Sequence, residues 1–145
     1  RTVVHMPAQT ERQPGLGDAA LLFASDDSVS WRGIAEESLG RAGIVVLSAC
    51  ETLRVPRSAQ ARAMSLGGGF LAAGAHDVIG TLVPLPDEQA YAIFTAIHRS
   101  LGRGDDAAQS LRQAQLDALA AETAGGRRTS WRAVALLTTR IPNGS

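Results

Sequence analysis

The chain has 145 residues, the length of one domain, and its fourteen basic side chains balance its fourteen acidic ones. This balance leaves no field that would attract nucleic acid or an anionic membrane surface. The single cysteine, Cys50, excludes an internal disulfide framework and a cysteine-based zinc site. We therefore expect one domain over residues 1–145 in the cytoplasm, with no metal, no cofactor, no nucleic-acid partner, no membrane span and no signal peptide.

Short apolar runs and helical patterns alternate through the first forty residues. The helical pattern is capped by Ser28 or Ser30, and Gly43 follows its end. The elements predicted here are a strand over 2–5, a loop over 9–18, a second short apolar run over 20–24 and a helix from about 28 to 41.

An unbroken apolar run over residues 44–47 stops shortly before Cys50 and is typical of a parallel strand covered on both faces. Strands separated by helices favour right-handed crossovers, so we predict an α/β fold with a mainly parallel sheet. The remaining predicted elements are a helix over 58–73 that stops at Gly74, a strand over 76–82, a helix that Asp87 caps and that ends at Gly102 or Gly104, a helix capped by Asp105 or Asp106, and a closing strand over 131–138.

Three sequence segments within these elements occur in an order that is typical of one protein family. They are Leu-Ser-Ala-Cys-Glu-Thr at 47–52, a glycine-rich helical stretch at 65–75 and Gly-Thr-Leu-Val-Pro-Leu-Pro-Asp at 80–87. Together with the helix that begins near residue 107 and the final tryptophan-led strand, they resemble the CHAT domain. This is a bacterial family of caspase-like, separase-related proteins in peptidase clan CD.

The resemblance extends from Val3 to about Leu137. It implies a caspase-like three-layer sandwich in which a mainly parallel sheet is flanked by helices. It also implies that an amino-terminal portion of the domain, and upstream repeats of the tetratricopeptide type, precede Arg1 in a larger protein. A protein or peptide is the partner that such a domain implies.

Cys50 is the first candidate for chemistry. In open α/β sheets ligands gather outside the carboxyl ends of the strands, which is where Cys50 falls. The residue type alone fits a small buried hydrophobe equally well. The resemblance implies the position of a nucleophile, which needs a neighbouring base to form its thiolate.

The base is where the sequence departs from the family. CHAT proteins carry His-x-x-x-His-Gly, and the second histidine is the general base, whereas this chain has His-Met-Pro-Ala-Gln-Thr at 5–10. In the simplest register Gln9 occupies the base position, and a glutamine amide cannot take up a proton at neutral pH. A second register slides His5 into the base role, and a third possibility is that His5 is structural.

Other candidates carry less specific signals. Asp87 fits either a pocket for a basic residue of the substrate, as the resemblance implies, or a helix N-cap. His76 and His98 match no catalytic position, and His98 is predicted to lie on the outer part of its helix. The glycine run 67–69 lacks the lysine of a phosphate loop and indicates close helix packing.

Three functional hypotheses remain. The first is a CHAT module that keeps Cys50 but has lost its base at Gln9, so that it binds or signals without cleaving, as a pseudoprotease does. The second is an active cysteine endopeptidase with a Cys50–His5 dyad, which cuts after a basic residue held by Asp87. The third is a structural assembly domain that packs on upstream repeats.

Overall fold

The computed structural model describes residues 2–12, 19–22, 27–40, 42–55 and 65–140. Its elements in chain order are β1 (Thr2–Met6), β2 (Gln9–Arg12), β3 (Ala19–Leu22), β4 (Ser28–Ser30), α1 (Trp31–Glu36), β5 (Ala42–Leu47), α2 (Leu66–Ala72), β6 (Asp77–Thr81), α3 (Asp87–Gly102), α4 (Ala107–Thr123), a 3₁₀ turn (Trp131–Ala133) and β7 (Val134–Thr138).

The main sheet has four strands in the order β1-β5-β6-β7. The first three are parallel, and β7 pairs antiparallel with β6. Helices flank this sheet on both faces, so the predicted α/β class and the mainly parallel sheet are confirmed, and the layering is consistent with a caspase-like sandwich. The apolar run 44–47 lies inside β5, the fully buried strand at its centre.

Alternation along β5 divides the core into two layers. Ile44 and Val46 pack with α3 and α4, whereas Val45 and Leu47 pack with α1 and α2. This follows because successive side chains of a strand point to opposite faces. β1 runs parallel to β5 with His5 opposite Val46, so the His5 side chain lies on the α3 face of the sheet.

A second, antiparallel sheet joins β2, β3 and β4. Its residue Leu21 is fully buried against the α1 and α2 layer. The prediction of a loop from residue 9 was therefore wrong over Gln9–Arg12, because pairing with β3 imposes a strand on a polar segment that has no apolar pattern of its own. Pro14, Gly15 and Gly17 lie outside the described residues.

Several predicted boundaries shift. The helix predicted to reach residue 41 ends at Glu36, and Gly43 belongs to β5. Ser30 caps α1, as predicted, but it also ends β4. α2 begins after Ser65, whose hydroxyl accepts a hydrogen bond from the Gly68 amide, and the predicted helical residues 58–64 lie outside the described part of the chain.

The longer helices lie where the pattern predicted them. α3 buries Ile93, Phe94, Ile97 and Leu101 against the sheet. Asp106 caps α4 and forms a reciprocal capping box with Gln109. Among the described helices, none combines the length and the apolar character that crossing a membrane would require.

Candidate functional site

Cys50 lies in a turn beyond the carboxyl end of β5, and its side chain is exposed. The next residue, Glu51, takes a positive φ of 55°, which turns the chain sharply after Cys50. This turn is where β5 delivers the Cys50 side chain to the edge of the sheet.

Three threonines hold the Cys50 turn. Thr10 Oγ1 donates a hydrogen bond of 2.7 Å to the Cys50 carbonyl oxygen, and Thr81 Oγ1 donates one of 2.9 Å to the Ala49 carbonyl oxygen. The Thr81 amide in turn donates to Thr52 Oγ1 at 3.1 Å. The backbone on both sides of the Cys50 nitrogen is therefore fixed by neighbouring strands.

The His5 side chain lies near the same edge of the main sheet, on the face covered by α3. Its Nε2 lies 2.9 Å from Ser48 Oγ, the hydroxyl that follows β5. Which atom donates depends on the imidazole tautomer. Within the described part of the chain, no hydrogen bond joins the Cys50 thiol to His5 or to Gln9. The imidazole that the sequence offers as a base is thus engaged with Ser48.

His98 is the neighbour of His5 that the sequence analysis missed. The two rings have centroids 4.5 Å apart and are tilted by 50°. His98 Nε2 is buried and has no hydrogen-bond partner among the described residues. Burial lowers the pKa of His98, and the positive charge of a protonated His5 lowers it further.

The prediction that His98 lies on the outer part of α3 was therefore wrong, since its side chain is half-buried. A signal for this was present in the sequence. Asp87, Tyr91, Phe94 and His98 follow one another at spacings of four, three and four, which place them on one face of a helix. That face turns toward the end of β1.

Gln9 begins β2, and its side chain is exposed. It pairs with Leu22, while its neighbour Thr10 reaches the Cys50 carbonyl. The segment that carries the predicted base position therefore lies against the Cys50 turn. It approaches from the layer of α1 and α2, opposite to the face that His5 occupies.

Asp87 is the first residue of α3, and its side chain is exposed. The prediction that Asp87 is the N-cap was wrong, because Pro86 occupies the cap position and no side chain caps the helix. The carboxylate still lies in the first turn, where the partial positive charge of the helix favours it. It is free to face a cleft.

A cleft of about 330 Å³ runs between α3 and the end of the main sheet. It contains Asp87 and His5 but not Cys50. The described side chains that line it are His5, Ser48, Asp87, Tyr91, Phe94 and His98, with Ala90 and Thr95 between them.

No group of three or more histidine, cysteine, aspartate or glutamate side chains with the geometry of a metal site occurs among the described residues.

The cleft and the Cys50 turn adjoin each other at one edge of the sheet, because Ser48 lines the cleft two residues before Cys50. One offers hydrogen-bonding and charged side chains, and the other offers an exposed thiol.

Comparison with protein families matches one family model, described as the CHAT domain, over residues 2–137. The match covers nearly all of the chain and includes β1, the Cys50 turn, the cleft and β7 up to Leu137. No curated protein matches the sequence.

Proposed function

Since the chain belongs to the CHAT domain family, we propose that this caspase-like module binds a protein or peptide partner without cleaving it. Cys50 keeps the nucleophile's position, and Gln9 stands where the general base would be. Signalling through a bound partner is the role that such a module retains once its chemistry is lost.

The hydrogen bond from Thr10 to the Cys50 carbonyl carries this proposal. It supports the register in which residues 9 and 10 take the place of the family's His-Gly, because that pair must lie next to the nucleophile. A glutamine amide is neither basic enough to accept the thiol proton nor able to return it to a leaving group. Cys50 then lacks the partner that would make it a nucleophile.

The environment of His5 argues against the alternative Cys50–His5 dyad. Strand alternation sends the His5 ring to the α3 face, where it bonds to Ser48 and packs on His98. To serve Cys50, the ring would have to give up both contacts. General-base catalysis requires hydrogen-bond reach of the proton that is removed.

Asp87 supports binding of a basic residue. It is exposed at the mouth of the cleft, and the other described side chains that line this cleft carry no second carboxylate. An arginine or lysine of the partner would pair with it. In an active enzyme, Asp87 would have held the basic substrate residue that precedes the scissile bond.

The decisive experiment restores the base. We expect Gln9→His combined with Thr10→Gly to cleave peptides after arginine or lysine, because a general base typically contributes about 10²- to 10⁴-fold. The matched control is the same double variant with Cys50→Ala, which should be silent. Circular dichroism checks that each variant is folded.

The parent chain must be silent in the same assay. Cleavage by the unmodified chain that disappears in both Cys50→Ala and His5→Ala would overturn the proposal in favour of the active endopeptidase. A folded double variant that still cleaves nothing would indicate that the substrate pocket is lost too, and that the domain serves only as an interaction surface.

A further inference from the structure

We infer that the cleft along α3 holds an extended peptide segment that carries a basic side chain at one end and an acidic side chain at the other. The inference rests on the proposed binding function, and it adds the second recognition element and its spacing. The acidic side chain belongs at the end formed by His5, Ser48 and His98.

The length of the cleft sets the spacing. Asp87 and His98 both line it and are eleven positions apart in α3. At a rise of 1.5 Å per residue they are separated by about 16 Å along the helix axis. An extended chain advances about 3.3 Å per residue, so about five residues of a partner span the two ends.

The two ends differ in charge. Asp87 is exposed and anionic, and Tyr91 beside it is 76% exposed, which leaves its ring free to cover the stem of an arginine or lysine. His5 and His98 mark the other end, where the described lining side chains carry no negative charge. A positively charged group of the ligand would therefore pair with Asp87, whereas the described side chains at the end with His5 and His98 offer no carboxylate for a second one.

The end of the cleft formed by His5 and Ser48 offers a hydrogen-bond donor. A neutral His5 ring carries one N–H, and Ser48 carries one O–H. Only one of these two hydrogens is used in the bond between Nε2 and Oγ, whichever tautomer is present. The other remains as a donor, and a carboxylate is the side-chain group that accepts such a bond most strongly.

His98 supports this end from behind. Its ring packs on the His5 ring, and its own Nε2 is buried without a hydrogen-bond partner among the described residues. Burial favours the neutral form of His98. A neutral His98 can therefore support the His5 ring by packing alone.

The test uses labelled five-residue peptides with blocked ends and fluorescence anisotropy on the unmodified chain. The reference peptides are Arg-Ala-Ala-Ala-Glu and its reverse, because the cleft does not fix the direction of the chain. Replacing Glu by Gln should weaken binding of the better peptide about tenfold, the effect of one charge-assisted hydrogen bond. Replacing Arg by Leu should weaken it similarly.

Protein variants assign each effect to an end of the cleft. His5→Ala and Ser48→Ala should abolish the preference for Glu over Gln while keeping the preference for Arg, and Asp87→Asn should do the reverse. His76→Ala and Glu88→Gln are matched controls, since these exposed side chains do not line the cleft. Both should bind as the parent does.

The possible results separate this inference from the proposed function. Equal binding of the Glu and Gln peptides, with a preference for Arg that Asp87→Asn removes, would overturn the inference and leave the proposed binding function intact. A preference for Glu that survives His5→Ala and Ser48→Ala would place the acidic residue elsewhere and overturn it as well. Failure of every five-residue peptide to bind would overturn the inference, whereas the proposed function is tested separately by the rescue assay with Gln9→His and Thr10→Gly.

Discussion

The hydroxyl of Thr81 donates a hydrogen bond of 2.9 Å to the carbonyl oxygen of Ala49, the residue before Cys50. Thr81 ends β6, and it is 2% exposed. Its amide binds the equally buried hydroxyl of Thr52 on the other side of the turn. A single residue of the neighbouring strand thus holds the Cys50 turn from both sides.

Replacing Thr81 by valine should destabilise the fold and loosen this turn. The valine keeps the shape but leaves the buried Ala49 carbonyl without its donor, a loss that costs about 1–3 kcal/mol. Urea unfolding followed by circular dichroism measures it. Thr81→Ser keeps the hydroxyl and should lose less, and equal losses in the two variants would show that the hydrogen bond contributes nothing.

Gly80 should not accept a side chain. A methyl group added there would overlap Thr52 Oγ1 and the Leu53 side chain, and Thr52 is held in place by Thr81. We expect Gly80→Ala to cost about 1–3 kcal/mol, as is typical of overpacking. Gly102→Ala is the matched control, because a methyl group there meets no atom within 4 Å. A neutral Gly80→Ala in the same unfolding assay would contradict the close packing.

Stability should fall in mild acid through His98. Its pKa lies below the ordinary value of 6.5, because burial and a charged His5 both disfavour protonation of the folded state. The unfolded chain therefore binds the proton more readily. The contribution of His98 is complete above about pH 6.5 and is lost as the pH falls through the lowered pKa of the folded state.

His98→Phe should flatten this dependence, because phenylalanine keeps a ring against His5 but takes up no proton. The measurement is the free energy of unfolding at several pH values between 5 and 7.5 for both proteins. An unchanged pH dependence in His98→Phe would mean that other groups produce the acid sensitivity.

Cys50 should alkylate like an exposed thiol that has no catalytic partner. Among the described residues, no side chain hydrogen-bonds to the Cys50 thiol, and the His5 ring is engaged with Ser48. We therefore expect iodoacetamide to label Cys50 slowly at pH 6, at the rate of a cysteine in an unstructured peptide. His5→Ala should label at the same rate as the parent. Rapid labelling that His5→Ala abolishes would restore the dyad.

The sequence by itself determined the elements whose pattern is strong. The apolar run 44–47 indicates a buried strand, and the apolar face of α3 that carries Ile93 and Ile97 indicates packing on a sheet. It also carried the motif around Cys50, whose family is shown by the match over residues 2–137, because a motif depends only on which residues are present. The α/β class followed from the alternation of such elements.

Tertiary structure alone decided the rest, because it depends on partners that are distant in the chain. Gln9–Arg12 became a strand only by pairing with β3, and the register of β1 on β5 set which face the His5 ring occupies. A shift of one residue in that register would have sent the ring to the opposite layer. The same register brings His5 to His98 across more than ninety residues, a contact that no local pattern encodes.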